Sequence, residues 1–422
     1  MKKILFAIMA LAALTGCHKD DPEPETKADR TVVIYMAAEN NLGFEKDAGQ
    51  IMRYAYDDLK EIKQGMKTMG NNHLVVYVDK CKDDEPEFDD QTPYMLHFWK
   101  GQLRDSIPME ESLTSDPAIF EKVLRQAFTQ YPAESYGLVL WGHCNGWIIR
   151  NDSVKYTAMS RKKAYAGDTG NNSYYSAGSY WLNIPTMAKV LSKMPHLTYI
   201  FADCCNFMCL ESCYELRNVA DYIIGSPAEI PAIGAPYETV TPALFKPTTV
   251  IQGVPQYAKS IVDMYYDSRV NYLPLSVVKT SEMVNMANAT RTALNGFRDL
   301  IGAEDSFPDV NDVIYYYYNF SEGREFFDAN DFMLHCAQES ENYEVYEAWK
   351  KVFDQTVVYK KMANRWSTDK AWGHYYAGFE VTEEKFGGVS MFVPQYYQIT
   401  TNNKTIRQMG WYYAAGYADV GW

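Results

Sequence analysis

The spacing of apolar residues changes repeatedly along the chain. Residues 31–37 (TVVIYMA), 73–79 (HLVVYVD), 136–143 (YGLVLWGH), 197–202 (LTYIFA) and 220–225 (ADYIIG) are short runs rich in β-branched and aromatic residues. Near-continuous apolar runs of this length predict strands covered on both faces. The stretches between them follow a helical period instead. Over residues 45–69, Ile51, Met52, Tyr54, Ala55, Leu59, Ile62 and Met66 predict an amphipathic helix. Residues 115–130 predict another, with Ser115 as N-cap, and 184–191 and 206–219 predict two more. Strands alternating with helices specify an α/β fold with a mainly parallel central sheet and helices on both faces. Residues 94–99 (YMLHFW) predict an edge strand. Residues 151–180 are polar, rich in Gly, Ser and Asn, and carry Arg161-Lys162-Lys163, which predicts a long exposed loop open to proteolytic nicking. After residue 240 the alternation weakens. Strands at 273–279 and 388–394 and helices at 281–303 and 342–364 read as C-terminal additions to the sheet.

The first residues follow a different logic. Met1-Lys2-Lys3 is positive, residues 4–14 are apolar, and Leu14-Thr15-Gly16-Cys17 follows at once. Eleven apolar residues are too few for a mature membrane span. Small residues before a cysteine, after such a run, look like a bacterial lipoprotein signal. This implies a signal peptide over residues 1–16, cleavage before Cys17, and lipid on Cys17. The plainer alternative is an ordinary secretory signal with an incidental cysteine. Residues 18–30 (HKDDPEPETKADR) are polar and contain Pro, so residues 17–30 read as a flexible tether and 31–422 as the folded domain. The expected address is the cell envelope, as an outer-membrane lipoprotein. The acidic residues after Cys17 resemble surface-export signals and point to the outer face.

Composition narrows the classes. The chain has 422 residues, 47% apolar and 22% charged, which is globular rather than disordered. Its 40 basic and 54 acidic residues give a net charge of −14. Such a balance speaks against a nucleic-acid partner, which would need a basic face. It also gives no attraction to anionic lipid, so the acyl chains on Cys17 would have to hold the protein at a membrane. Of eight cysteines, seven remain once Cys17 is lipidated, and Cys204, Cys205, Cys209 and Cys213 crowd together. An odd, clustered set is no disulfide framework and leaves a thiol available for chemistry.

Two predicted strand ends carry unusual residues. Trp141-Gly142-His143-Cys144-Asn145-Gly146-Trp147 closes one, and Asp203-Cys204-Cys205-Asn206 closes another and opens a predicted helix. Ligands in open α/β sheets gather at the carboxyl ends of strands. A cysteine at a helix start gains thiolate character, and a histidine on the neighbouring strand end could move its proton. The amides after His143 and at the cysteine could face a developing oxyanion.

These residues resemble the clostripain family of cysteine peptidases, relatives in fold of caspases, legumains and gingipains. Residues 33–42 (VIYMAAENNL) resemble its first strand and Asp-Asn-Asn-Leu turn, with Glu39 in place of aspartate. Residues 138–147 resemble its histidine motif, and 203–217 its Asp-Ala-Cys…Glu-x-x-Tyr-Glu-Leu-Arg stretch. Residues 328–332 and 388–394 are similar to later segments. The resemblance implies a caspase-like fold and a lipid-anchored cysteine endopeptidase acting on protein or peptide substrates. It implies His143 as catalytic histidine and, anchored on Glu211, Tyr214, Glu215, Leu216 and Arg217, Cys205 as nucleophile. Cys204 replaces a small alanine. Neighbours on a strand point oppositely, so only one of the two cysteines can face His143.

The implied oxyanion donors are the backbone amides of Cys144, which stands where the family has glycine, and of Cys205. The resemblance further implies cleavage after Arg or Lys, with Asp203 in the substrate-binding pocket, where it could also cap the helix. A second acidic residue is expected after Ser226, where the sequence offers Glu229. The family is activated by cuts between histidine and nucleophile, which makes Lys155, Arg161, Lys162 and Lys163 candidate sites. Cys209 and Cys213, predicted to share a helical face with Cys205, read as buried fillers, since the Cys-x2-Cys spacing of zinc is absent. The acidic residues 83–90 read as a solvated turn, and neither metal nor cofactor is expected. The competing reading is a non-catalytic surface-binding lipoprotein on a peptidase scaffold.

Overall fold

The structure, a computed structural model, describes residues 27–149, 165–168, 180–269, 272–301, 307–319, 323–366, 380–395 and 402–422. The predicted signal peptide, Cys17 and the four candidate cut sites lie outside these residues. No helix among the described residues is long and apolar enough to cross a membrane.

Among the described residues, nine strands form one sheet. In chain order they are β1 (Ala28–Ala38), β2 (His73–Lys80), β3 (Tyr94–Trp99), β4 (Gln102–Pro108), β5 (Ala133–Trp141), β6 (Leu197–Asp203), β7 (Ala220–Gly225), β8 (Leu275–Lys279) and β9 (Val357–Lys361). Their spatial order is β9-β8-β7-β6-β5-β1-β2-β3-β4. The five central strands, β7 through β2, run parallel. The outer pairs, β3 with β4 and β8 with β9, are added antiparallel. This is the caspase-like α/β architecture that the sequence predicts.

Each central strand feeds two cores, because successive side chains point to opposite faces. From β1, Val33, Tyr35 and Ala37 join one apolar cluster. Val32, Ile34 and Met36 join the other. Helices Pro117–Gln130, Ile184–Leu191, Leu210–Glu215 and Met283–Gly296 cover the first face. Helices Tyr54–Gly65, Tyr237–Ala243 and Gln256–Ser268 cover the second. Burying each such aliphatic or aromatic side chain contributes roughly 2 kcal/mol, so a sheet covered twice is strongly fixed in register.

Several elements differ from expectation, each for a local reason. Residues 45–52 form a hairpin, Glu45–Asp47 with Gln50–Met52, turned by Ala48 (φ 46°) and Gly49 (φ 84°). The helix begins only at Tyr54. A pair of positive-φ residues builds the tight turn that a helical pattern cannot contain. Asp116, not Ser115, caps the next helix, accepting from the Ala118 amide at 2.7 Å ahead of Pro117. The edge of the sheet is β4 rather than β3. Residues 342–364 divide into helix Tyr343–Thr356 and strand β9. The first strand already includes Ala28–Arg30, residues read as tether, and Arg30 is buried and donates to the carbonyls of Leu244 and Lys246. Within 151–180, Tyr165–Asp168 is a buried strand paired with Tyr180–Leu182, not exposed loop.

The later chain is tied to the sheet. Tyr315–Asn319, Gly323–Asp328 and Ser390–Met391 form a small antiparallel sheet. Its last strand bridges Cys209, and the Ser390 amide donates to the Met208 carbonyl at 3.0 Å.

Candidate active site

Two parallel strand tips create the site. β5 and β6 pair in register up to Trp141 opposite Asp203. The Gly142 amide extends the ladder one step, donating to the Asp203 carbonyl at 3.4 Å. His143 and Cys205 are each two residues beyond the last pair, so they stand at matching positions on adjoining tips. Alternation sends their neighbours Cys144 and Cys204 to the opposite face, where both are buried in the first core.

The chain needs special backbone to end these strands. Gly142 has φ 139° and lies against Ala37. Gly146 has φ 51°, and a Cβ there would come within 2.5 Å of the Asn206 carbonyl oxygen. Only glycine fits such a place without strain. Cys144 is bridged to Tyr165, and the Ala166 amide donates to the His143 carbonyl at 3.0 Å. Asn206 has φ 53°, and its side-chain amide donates to Asn145 Oδ1 at 3.1 Å, joining the two tips. This left-handed Asn and the extended Cys209 delay the expected helix, which runs only Leu210–Glu215. Cys205 is therefore in a turn and not at a helix N-terminus, and it shares no helical face with Cys209 and Cys213. Both of those are buried fillers, Cys209 donating to Ser212 Oγ.

The two adjacent cysteines meet different surroundings. Cys204 is fully buried, and burial, then contact with the Cys144 thiol, pushes its own thiol well above the usual range. Cys205 is half-buried and receives the Ile230 amide on Sγ at 3.4 Å. His143 is half-buried, with Nε2 2.7 Å from Asn41 Oδ1. A proton on Nε2, donated to Asn41, fixes Nδ1 as the basic nitrogen of the neutral ring. Asn41 was not singled out from sequence, although it sits in the polar turn that ends β1.

Below the tips lies a buried acidic pair. Asp203 takes the Tyr265 hydroxyl on Oδ1 at 2.8 Å, and the Tyr237 hydroxyl and Ala235 amide on Oδ2 at 2.9 and 3.1 Å. It caps no helix. Burial raises its pKa while these donors pull it down. Asp58, from helix Tyr54–Gly65, accepts Trp141 Nε1–H at 2.6 Å. Burial and the nearby Asp203 charge push it up to about 9. A Cβ on Gly234 would lie 3.0 Å from Asp203 Oδ2 and 3.4 Å from Asp58 Oδ2, so the two carboxyl groups flank one small space. Asp58, about 145 residues from Asp203 in sequence, is thus an acidic neighbour of Asp203 that local spacing does not reveal.

The family model of the clostripain family matches residues 34–422. The chain belongs to the clostripain family. It is similar to a secreted C11 cysteine protease from Bacteroides thetaiotaomicron, solved with an irreversible peptide inhibitor. The two share 28% identity at a TM-score of 0.71, over 93% of this chain and 100% of that one. It is also similar to an inactive zymogen C11 protease from Parabacteroides distasonis, at 25% identity and a TM-score of 0.70, over 93% and 99%. No curated protein matches the chain. The clostripain-family chain is accordingly a cysteine-type peptidase, a hydrolase of protein or peptide substrates, rather than a binding module without activity.

Proposed function

We propose that this peptidase is an endopeptidase that uses His143 and Cys205 as its dyad and cleaves after Arg or Lys. The observation that carries the reading is the β5–β6 register, which gives the two residues equal positions past Trp141 and Asp203. In the proposed reaction His143 takes the Cys205 proton, and the thiolate attacks the scissile carbonyl carbon. The amides of Cys144 and Cys205 face the oxyanion, and the imidazolium protonates the departing amine. A water, deprotonated by His143, then attacks the thioester, releases the acid and restores the thiol. Asn41 holds the imidazole in the required tautomer. The Ile230 amide favours the Cys205 thiolate.

The acidic pair beside Gly234 supports basic specificity. A guanidinium or ammonium entering there would meet Asp203 and Asp58 together, and it would draw Asp58 into its charged form. Activation by a cut between histidine and nucleophile fits the burial of Tyr165–Asp168. The candidate sites Lys155, Arg161, Lys162 and Lys163 all precede that strand. Anchoring through lipid on Cys17, in the outer membrane and facing outward, completes the reading. It rests on the sequence of residues 1–30.

The test uses fluorogenic peptides ending in Arg, Lys, Ala or Glu, with wild type, Cys205→Ala, Cys204→Ala and His143→Ala. Turnover of Arg or Lys peptides, lost in Cys205→Ala and His143→Ala and kept in Cys204→Ala, is expected. Activity that survives in Cys205→Ala and vanishes in Cys204→Ala overturns the assignment. Equal turnover of the Ala or Glu peptides overturns the specificity. Mass spectrometry of the mature N-terminus checks the lipid, and an unmodified Cys17 removes that part.

A further inference from the structure

The end of the sheet opposite the dyad carries an apolar projection. Between helices Tyr237–Ala243 and Gln256–Ser268, Val250–Ile251 pairs antiparallel with Val254–Pro255. Gln252 (φ 52°) and Gly253 (φ 85°) turn this hairpin, the left-handed pair that a tight two-residue turn needs. Val254 and Pro255 are buried, whereas residues 246–253 are all exposed. Val250 is 54% exposed and Ile251 48%. Among the described residues, no other two large apolar side chains adjacent in the chain are both exposed. Residues 247–258 (PTTVIQGVPQYA) contain no charged residue, in a chain that is 22% charged. Single exposed apolar residues are common and signify little. An uncharged pair held out on a tight turn is different, because it offers apolar contact with little loss of freedom.

Beside the hairpin lies the start of the folded chain. Arg30, the third residue of β1, donates to the carbonyls of Leu244 at 2.8 Å and Lys246 at 3.1 Å. The Gln256 amide donates to the Thr249 carbonyl at 3.0 Å, and the Tyr257 hydroxyl to the Thr198 carbonyl at 3.1 Å. The hairpin is thereby fixed at the amino ends of β1 and β6. The dyad stands past the carboxyl ends, the length of the nine-residue β5 away, or about 30 Å. Ten peptide steps separate Cys17 from Lys27, and no chain of that length spans more than about 35 Å. A bilayer that holds lipid on Cys17 therefore lies within that distance of the hairpin's own end of the sheet. On so short a leash the local concentration of lipid is high, and a weak apolar contact becomes populated. The net charge of −14 gives no attraction to anionic headgroups, so the contact has to be apolar. Lys246, at the base of the hairpin, suits the headgroup level above such a contact.

We propose that Val250 and Ile251 rest in the interface of the bilayer that anchors the chain, so that the His143–Cys205 end points away from it. This rests on the lipid on Cys17 proposed above. The acyl chains keep the domain at the membrane, and the hairpin sets its orientation. The cleft then faces soluble peptides and proteins rather than those embedded in the same membrane.

Two samples separate the contact from the anchor. In one, lipidated protein isolated from membranes is reconstituted in phosphatidylcholine vesicles. In the other, a histidine tag replaces residues 1–17, and nickel-chelating lipid in the same vesicles holds the chain whether or not Cys17 is ever modified. Both carry Cys205→Ala. The remaining described cysteines are buried, so a thiol-directed fluorophore reports Thr248→Cys in the hairpin or Glu87→Cys, exposed beyond β2 at the other end. A nitroxide-labelled lipid should quench the Thr248→Cys label at least about 2-fold and leave the Glu87→Cys label unchanged. Val250→Asp with Ile251→Asp should abolish the quenching, keep the tagged chain on the vesicles, and leave peptide turnover by the unlabelled enzyme unchanged. Equal quenching at both positions, none at Thr248→Cys in the tagged chain, or full quenching in the double Asp variant overturns the proposal. So does a dimer, formed without vesicles, that the Asp substitutions dissociate, since the hairpin then belongs to a second copy. An unmodified Cys17 in the first sample, beside quenching in the tagged one, removes the natural anchor and upholds the hairpin contact.

Discussion

The two faces of the β5 and β6 tips have nearly the same residue types and opposite environments. One face holds His143 and Cys205, with Asn41, Ile230 and the Asp58–Asp203 pair around them. The other holds Cys144 and Cys204 in contact with each other inside an apolar core beside Tyr165. A single step along the chain thus separates a thiol that meets an amide at the rim from one sealed in hydrocarbon. Exposure of a thiol here follows which way the pleat points, not residue type.

Swapping the roles of the two faces is the most direct way to break this contrast. Cys205→Ala should lower kcat/KM by at least about 10⁴-fold, while Cys204→Ala should leave turnover intact and cost about 1 kcal/mol in urea unfolding. Comparable losses in the two variants would erase the distinction. Next in size is Asp203→Asn, which should cut kcat/KM for an Arg-ending peptide by about 10²-fold, because a charge would then be buried without its partner. Asn41→Ala should lower kcat by about 10-fold to 10²-fold with little change in KM, as expected of a positioning residue. A pure KM effect would instead assign Asn41 to substrate contact.

A separate prediction concerns pH. The Asp58 pKa near 9 lies above the ordinary carboxylate value, so the folded state keeps a proton that the unfolded chain gives up. The associated stability is complete below about pH 4 and is lost as pH rises toward about 9. Asp58→Asn removes this slope. Its Tm relative to wild type should therefore climb from pH 5 to pH 9, and a parallel offset across that range would contradict the raised value.

The contrast also explains what could be read from sequence. The central strands are legible because burial on both faces demands unbroken apolar runs, as in residues 31–37 and 197–202. The two tips are legible because Gly142, Gly146 and Asn206 mark backbone that must leave the strand. Spacing could not reveal the positive-φ turn at Ala48–Gly49, which splits a helical pattern. The approach of Asp58 to Asp203 was equally hidden, because those residues meet only through the packing of helix Tyr54–Gly65 on the sheet. The buried strand Tyr165–Asp168 was masked by polar flanks, and Gly323–Asp328 by its few residues. Asn41 lay inside a recognised motif, but its contact with His143 depends on a third strand.

The sheet order has one more consequence. Strands β1 to β5 occupy one contiguous half of the sheet and β6 to β9 the other, and the boundary is the β5–β6 pair. A cut between Ile149 and Tyr165 would leave two polypeptides, each owning an unbroken half-sheet and one member of the His143–Cys205 couple. They would migrate as two bands under denaturing conditions yet copurify. Each made alone would be inert, and activity would return only on reassembly.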